Sequence, residues 1–175
     1  MISRIVVISL FSAALAFGQV TDPAAALKKK TEDKTKVTKV AAGTTADADL
    51  KLLTKKLKSV QNEKGPIIFK TGSAELDAAK CEKTLKAIAD IVKAFPGYIV
   101  QIDGHTDSSG NANANKALSQ KRAEAVRTYL IQHYGVDAGR LTAKGFGDTQ
   151  PIADNKSAEG KAKNRRVDFT VTRKK

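Results

Sequence analysis

The chain has 175 residues, enough for one ordinary domain with appendages. Its single cysteine, Cys81, excludes an intrachain disulfide, and with only His105 and His133 beside it the composition argues against a Cys/His zinc site. The net charge of +13 points to acidic partners: nucleic acid, anionic lipid or an anionic cell-wall polymer.

The first residues address the chain. Met1 to Arg4 is short and basic, Ile5 to Phe17 is apolar, and Ala14-Leu-Ala16 and Ala16-Phe-Gly18 both fit a small-x-small cleavage pattern. This predicts a secretory signal peptide over 1–18. The apolar run is short for a bilayer span, which needs about 20 residues. With no cysteine at the cleavage point, no lipid anchor is expected. Residues 19–64 read as a basic, mostly disordered linker. From Lys28 to Lys64 the eleven lysines outnumber the five acids, and large apolar residues are few. The segment is either a solvated tether or an electrostatic attachment to an anionic surface. Leu50, Leu53, Leu57 and Val60 recur at helical spacing and predict a short helix over 50–60.

Residues 65–175 carry the folded domain. Pro66 to Lys70 is short and apolar and predicts a first strand. Thr71-Gly72-Ser73 is a turn, with Ser73 as the expected N-cap of a helix reaching about Phe95. Cys81, Leu85, Ile88, Val92 and Phe95 fall on one face of that helix, so Cys81 is expected to be a buried, inert thiol. Tyr98 to Asp103 alternates and predicts a second strand. A polar loop over 104–113 leads to a helix over about 114–134, stopped by Gly135. Leu141 to Gly147 predicts a third strand. A polar excursion with a short helix near Ala158 precedes a last strand over 166–172. The expected fold is an α/β (α+β) two-layer sandwich, a mixed four-stranded sheet with two main helices on one face.

The stretch from Asp103 to Arg122 holds the chemistry. A loop leaving the carboxyl end of a strand and feeding a helix is a common binding position. Asp107 lies in the loop and Arg122 on the helix beside its apolar stripe. A carboxylate accepts from an ammonium, and a guanidinium grips a carboxylate through two parallel hydrogen bonds. Together they would recognise an α-amino-acid head group, with Asn115 adding an amide and the helix N-terminus a positive potential. The spacing equally permits Asp107 and Arg122 to pair with each other and brace the loop. No nucleophile with a base and orienting acid is visible, and no carboxylate pair or metal set suits a hydrolase. The chain is therefore read as non-enzymatic, without cofactor or metal.

Four motifs in order resemble the OmpA-like C-terminal domain family, which includes peptidoglycan-associated lipoproteins and flagellar stator proteins. They are Asp-Gly-His-Thr-Asp-x-x-Gly (103–110), Asn-x-x-Leu-Ser-x-x-Arg-Ala (115–123), Gly-Phe-Gly (145–147) and Asn-Arg-Arg-Val (164–167). The resemblance covers about 65–175 and implies a βαβαββ order. It implies a periplasmic module that holds peptidoglycan without catalysis, through the diaminopimelate of the stem peptide. Asp107 and Arg122 match the family's ligand residues, Asn115 a supporting contact, Arg165 a second basic contact, and Thr71 and Gly72 the pocket wall. Thr106 and Leu118, inside the matching motifs, belong to the same implied site. Lys70 departs from the family, where many members carry an acidic or small polar residue.

The implied setting is the periplasm, with peptidoglycan, outer-membrane proteins or other envelope proteins as partners. The alternative is a basic periplasmic or surface protein that binds anionic lipid, nucleic acid or host polymers through its lysines. The export signal and the lack of stacking aromatics oppose nucleic acid.

Overall fold

The computed structural model describes residues 42–174; the signal peptide predicted over 1–18 and the linker up to residue 41 lie outside them. In chain order the elements are α1 (Ala42–Lys64), α2 (Ala78–Ala94), β1 (Tyr98–His105), α3 (Ala112–Tyr134), a 3-10 turn (Ala138–Arg140), β2 (Leu141–Gly147), α4 (Ala158–Asn164) and β3 (Val167–Arg173). The sheet runs β2-β1-β3. β1 and β2 are parallel, with Gly104 opposite Gly145, and β1 and β3 are antiparallel, with Ile102 opposite Phe169. The parallel pair is joined through α3, because parallel strands cannot be linked by a tight turn.

Two expectations of the fold are corrected. The sheet has three strands, not four, and the described residues hold four helices, not two. The apolar run Pro66 to Lys70 does not join the sheet. It folds back on the residues after it: Phe69 bridges Leu76, Lys70 N–H donates to the Glu75 carbonyl (2.9 Å), and Asp77 N–H donates to the Ile68 carbonyl (2.9 Å). Those local bonds satisfy the backbone that a sheet partner would otherwise have paired. The same turn displaces the helix start. Ser73 caps a turn rather than a helix, its hydroxyl accepting from Glu75 N–H (2.9 Å), and α2 begins at Ala78.

Helix α1 packs along β3 and the start of β1. Gln61 Nε2 donates to the Val167 carbonyl (2.7 Å), Tyr98 Oη donates to the Ala46 carbonyl (2.6 Å), and Arg173 pairs with Asp47 (2.8 Å). The helix read over 50–60 thus extends over 42–64, inside the span read as linker. Leu53 and Leu57 are completely buried and Val60 nearly so, in one cluster with Leu85, Ile88, Val92, Val100 and Ile102. Cys81 lies in that cluster, and burial raises its thiol pKa, as its place on the apolar stripe implied.

Helix α3 lies directly on the parallel pair. A Cβ at Gly104 would stand 2.2 Å from the Ser119 carbonyl oxygen, and one at Gly145 2.3 Å from the Gln120 nitrogen. At that distance polar side chains of α3 reach the β2 backbone. Gln120 Oε1 accepts from Gly145 N–H (2.7 Å), Ser119 Oγ from Gly147 N–H (2.9 Å), and Arg127 Nε donates to the Leu141 carbonyl (2.7 Å). Gly135, at φ 61°, ends α3 in the left-handed region.

Two substitutions test this account by urea denaturation. Gly145→Ala forces α3 off the sheet and is expected to cost about 3 kcal/mol, the upper range for overpacking. Leu57→Ala opens a cavity between α1 and the core and is expected to cost about 2–5 kcal/mol; a change under about 0.5 kcal/mol would mean that α1 is not part of the folding unit.

Candidate functional site

β1 delivers its carboxyl end to the site. Thr106 N–H donates to the Gly147 carbonyl (2.9 Å), which extends the β1–β2 ladder by one residue and fixes where the loop begins. Asp107 then turns the chain, its Oδ1 accepting from Ser109 N–H (2.9 Å). Asn111 caps α3 by accepting from Asn113 N–H (2.8 Å) and Ala114 N–H (3.2 Å). One turn into the helix, Asn115 Nδ2 donates back to the carbonyls of Ser109 (3.0 Å) and Asp107 (3.3 Å). Asn115 is therefore a brace that holds the loop from below.

Asp107 and Arg122 do not pair with each other. Asp107 Oδ2 accepts from Arg165 Nη1 at 2.7 Å, across 58 positions of sequence. Burial pushes the Asp107 carboxyl upward, but the hydrogen bonds from Arg165 and Ser109 outweigh it and hold the pKa below the ordinary value of 3.8. The carboxylate is thus charged at neutral pH. Arg122 is buried by other means. Its Nε donates to the Ser73 carbonyl (3.0 Å) and its guanidinium lies 5.1 Å from the centre of the Phe69 ring. Burial, then repulsion from Arg165, lowers the Arg122 pKa, while the Asp107 charge raises it. The three charges therefore share one neighbourhood. Among the described residues the two terminal nitrogens of Arg122 have no hydrogen-bond or ion-pair partner.

The remaining predicted residues surround this group. Thr71 and Gly72 are exposed at the tip of the turn whose next residue, Ser73, touches Arg122. Leu118 is half-buried one helical turn before Arg122 and so shares its face of α3. Thr106 is buried, and its hydroxyl has no partner among the described residues. Lys70 pairs with Glu75 in the turn, on an exposed face.

Sequence reading missed the groups that do the positioning. Ser73 and Phe69 hold Arg122 from 49 and 53 residues away. Asn164 organises the excursion before β3: its Oδ1 accepts from Ile152 N–H (2.8 Å) and Ala153 N–H (3.0 Å), and its Nδ2 donates to the Ala153 carbonyl (2.9 Å) and to Asn155 (2.9 Å). Asn155 in turn accepts from Ser108 N–H in the loop (3.2 Å). The Asn-Arg-Arg segment thus divides its labour. Asn164 ties the excursion, Arg165 holds Asp107, and Arg166 pairs with Asp168 (2.8 Å). His105 sits beneath the site, stacked on Phe146 with ring centres 5.3 Å apart. Burial and the nearby Arg166 lower its pKa, so it is neutral at pH 7 and does not form an ion pair with Asp168, 3.6 Å away. Among the described residues no group of three or more His, Cys, Asp or Glu could hold a metal.

The OmpA family model matches residues 68–165, which contain Thr71, Gly72, Thr106, Asp107, Asn115, Leu118, Arg122 and Arg165. The chain belongs to the OmpA family. It is 47% identical to outer membrane porin F of Pseudomonas aeruginosa over 87 residues, which are 50% of this chain and 25% of porin F. It is 42% identical to the peptidoglycan-binding protein ArfA of Mycobacterium tuberculosis over 107 residues, 61% of this chain and 32% of ArfA. Among solved structures, the peptidoglycan-associated lipoprotein of Burkholderia pseudomallei is similar, with a TM-score of 0.55 and 32% identity over 61% of this chain and 88% of that one. The chain thus spans only a quarter to a third of these two curated relatives.

The Asp107–Arg165 pair makes a prediction about pH. A carboxyl-carbon NMR titration should place the Asp107 midpoint below 3.8 and move it upward in Arg165→Ala. Because the folded pKa is depressed, the pair's stabilisation is present above the unfolded value and is lost as pH falls through the folded midpoint. The stability gap between wild type and Arg165→Ala should therefore close in acid; a gap independent of pH would contradict the pairing.

Proposed function

We propose that this protein binds peptidoglycan non-covalently in the bacterial envelope, and that Asp107 and Arg122 hold the diaminopimelate of the stem peptide. The observation that carries the reading is the pair of opposite charges held ready by their surroundings. A buried Arg122 keeps two terminal nitrogens unpartnered beside an ionised Asp107. Two parallel guanidinium donors suit a ligand carboxylate, and the Asp107 carboxylate suits the ammonium on the same carbon. Arg165, half-exposed, is the movable partner: it neutralises Asp107 in the free protein and shares it with the ligand ammonium. Family membership supports the reading, as does similarity to the peptidoglycan-binding protein ArfA and to a peptidoglycan-associated lipoprotein. No step requires bond making, so the protein acts as a binding module. The signal peptide predicted over 1–18 supports export, and family membership supports a position in the envelope beside peptidoglycan.

Sacculus sedimentation tests this. Wild-type protein should co-sediment with purified sacculi, and Asp107→Ala and Arg122→Ala should each lose at least about tenfold in affinity, as removal of one partner of a buried charged contact does. Arg122→Lys should not restore binding, because an ammonium cannot form the two-pronged contact. Both alanine variants binding like wild type while folded would sink the reading. Binding that vanishes with added salt in wild type and variants alike would assign attachment to the lysines instead.

A further inference from the structure

A second concavity adjoins the site. It is an open cleft of about 750 Å³ between the carboxyl half of α1 and the α4–β3 segment. That volume lies within the range of ligand clefts, roughly 300–1,000 Å³, and is large for the head group of one amino acid. Arg165 lines this cleft and also holds Asp107, so the cleft and the charge clamp meet at one side chain.

The charges within the cleft are unevenly matched. Its two acids are occupied. Asp103 accepts from Gln101 Nε2 (2.7 Å) and Thr170 Oγ1 (2.5 Å), and Asp168 accepts from Arg166 Nε (2.8 Å). Lys58, on α1, and Lys163, on α4, line the cleft from its two walls; neither ammonium has a hydrogen-bond or close ion-pair partner among the described residues, although Lys163 feels the charge of Asp154. Ile152 also lines it, 63% exposed, and is one of two large apolar side chains so exposed among the described residues. Two ammonium groups without hydrogen-bond partners and an apolar wall fit a peptide that carries a carboxylate of its own.

We infer that this cleft is an extension of the clamp, in which Lys58 and Lys163 receive a second carboxylate of the same wall peptide. The inference rests on the clamp reading for the identity of the peptide. It assigns α1 a role in recognition, since Lys58 brings one wall of the cleft to the ligand. The interaction is between solvent-exposed charges, so its contribution is modest and screened by salt. Its effect is selectivity for a peptide over a free amino acid.

Calorimetry on the mature chain tests this with three ligands: free meso-diaminopimelate, the stem tetrapeptide, and the same tetrapeptide with the carboxylates outside diaminopimelate amidated. The tetrapeptide should bind on the order of three- to tenfold more tightly than the free amino acid, the size expected for two exposed charge pairs. The double variant Lys58→Ala/Lys163→Ala should lose that advantage, as should amidation, while binding of free diaminopimelate stays unchanged. Both lysines are exposed, so the variant should fold like wild type. The inference is overturned if the tetrapeptide keeps its advantage in the double variant, if the amidated peptide binds as well as the free acid, or if neither peptide exceeds the free amino acid. Asp107→Ala separates the two readings. If it leaves all three ligands bound as before while the lysine variant weakens the tetrapeptide, the clamp fails and the cleft stands.

Discussion

Two glycines facing each other across a parallel pair, Gly104 and Gly145, let a helix lie closer to a sheet than side chains normally allow. With hydrogen on both, α3 brings its backbone within what would be a methyl group's contact distance of the sheet. The remaining geometry follows from that approach. Ser119 and Gln120 can reach β2 only because the helix is so near, and they fix its rotation. A helix fixed in rotation points Asn115 under the loop and Arg122 toward the turn at Ser73. The clamp is thus built from ordinary hydrogen bonds on a helix whose height and rotation are set elsewhere.

The charge arrangement shows how an arginine and a carboxylate can be buried side by side without pairing to each other. A buried arginine with unused donors is costly unless part of it is satisfied. Here one nitrogen bonds a carbonyl and the guanidinium lies over Phe69, so among the described residues only the two terminal nitrogens are left without a partner. The carboxylate is treated differently: it is paired in the free state, but with a partner that is half-exposed. The acid is therefore kept ionised without being locked away.

How much of this was legible beforehand depended on range in sequence. β1, α3, β2 and β3 were read nearly in place, because alternation, helical spacing and Gly135 are local signals. The first strand was misread for a physical reason. An apolar run such as Ile67-Ile68-Phe69 needs burial, and it reached it through a tight local turn instead of a sheet partner. The spacing of Leu53, Leu57 and Val60 announced a helix but not what would cover it. In the site, the residue types came from motif order, while the pairing did not. Asp107 finds Arg165 across 58 positions, and Arg122 finds a backbone carbonyl, which no side-chain pattern encodes.

Helix α1 also decides where mechanical strain would enter the molecule. A pull applied at Ala42 meets Tyr98 and Arg173 first, through the Ala46 carbonyl and Asp47, and then the fully buried Leu53 and Leu57. These anchors belong to the apolar core and to the far ends of β1 and β3, while Asp107 lies beyond the opposite end of β1. Tension applied at Ala42 is therefore taken up by the core before it reaches the charged loop, because the anchors of α1 and the Asp107 loop lie at opposite ends of the same sheet.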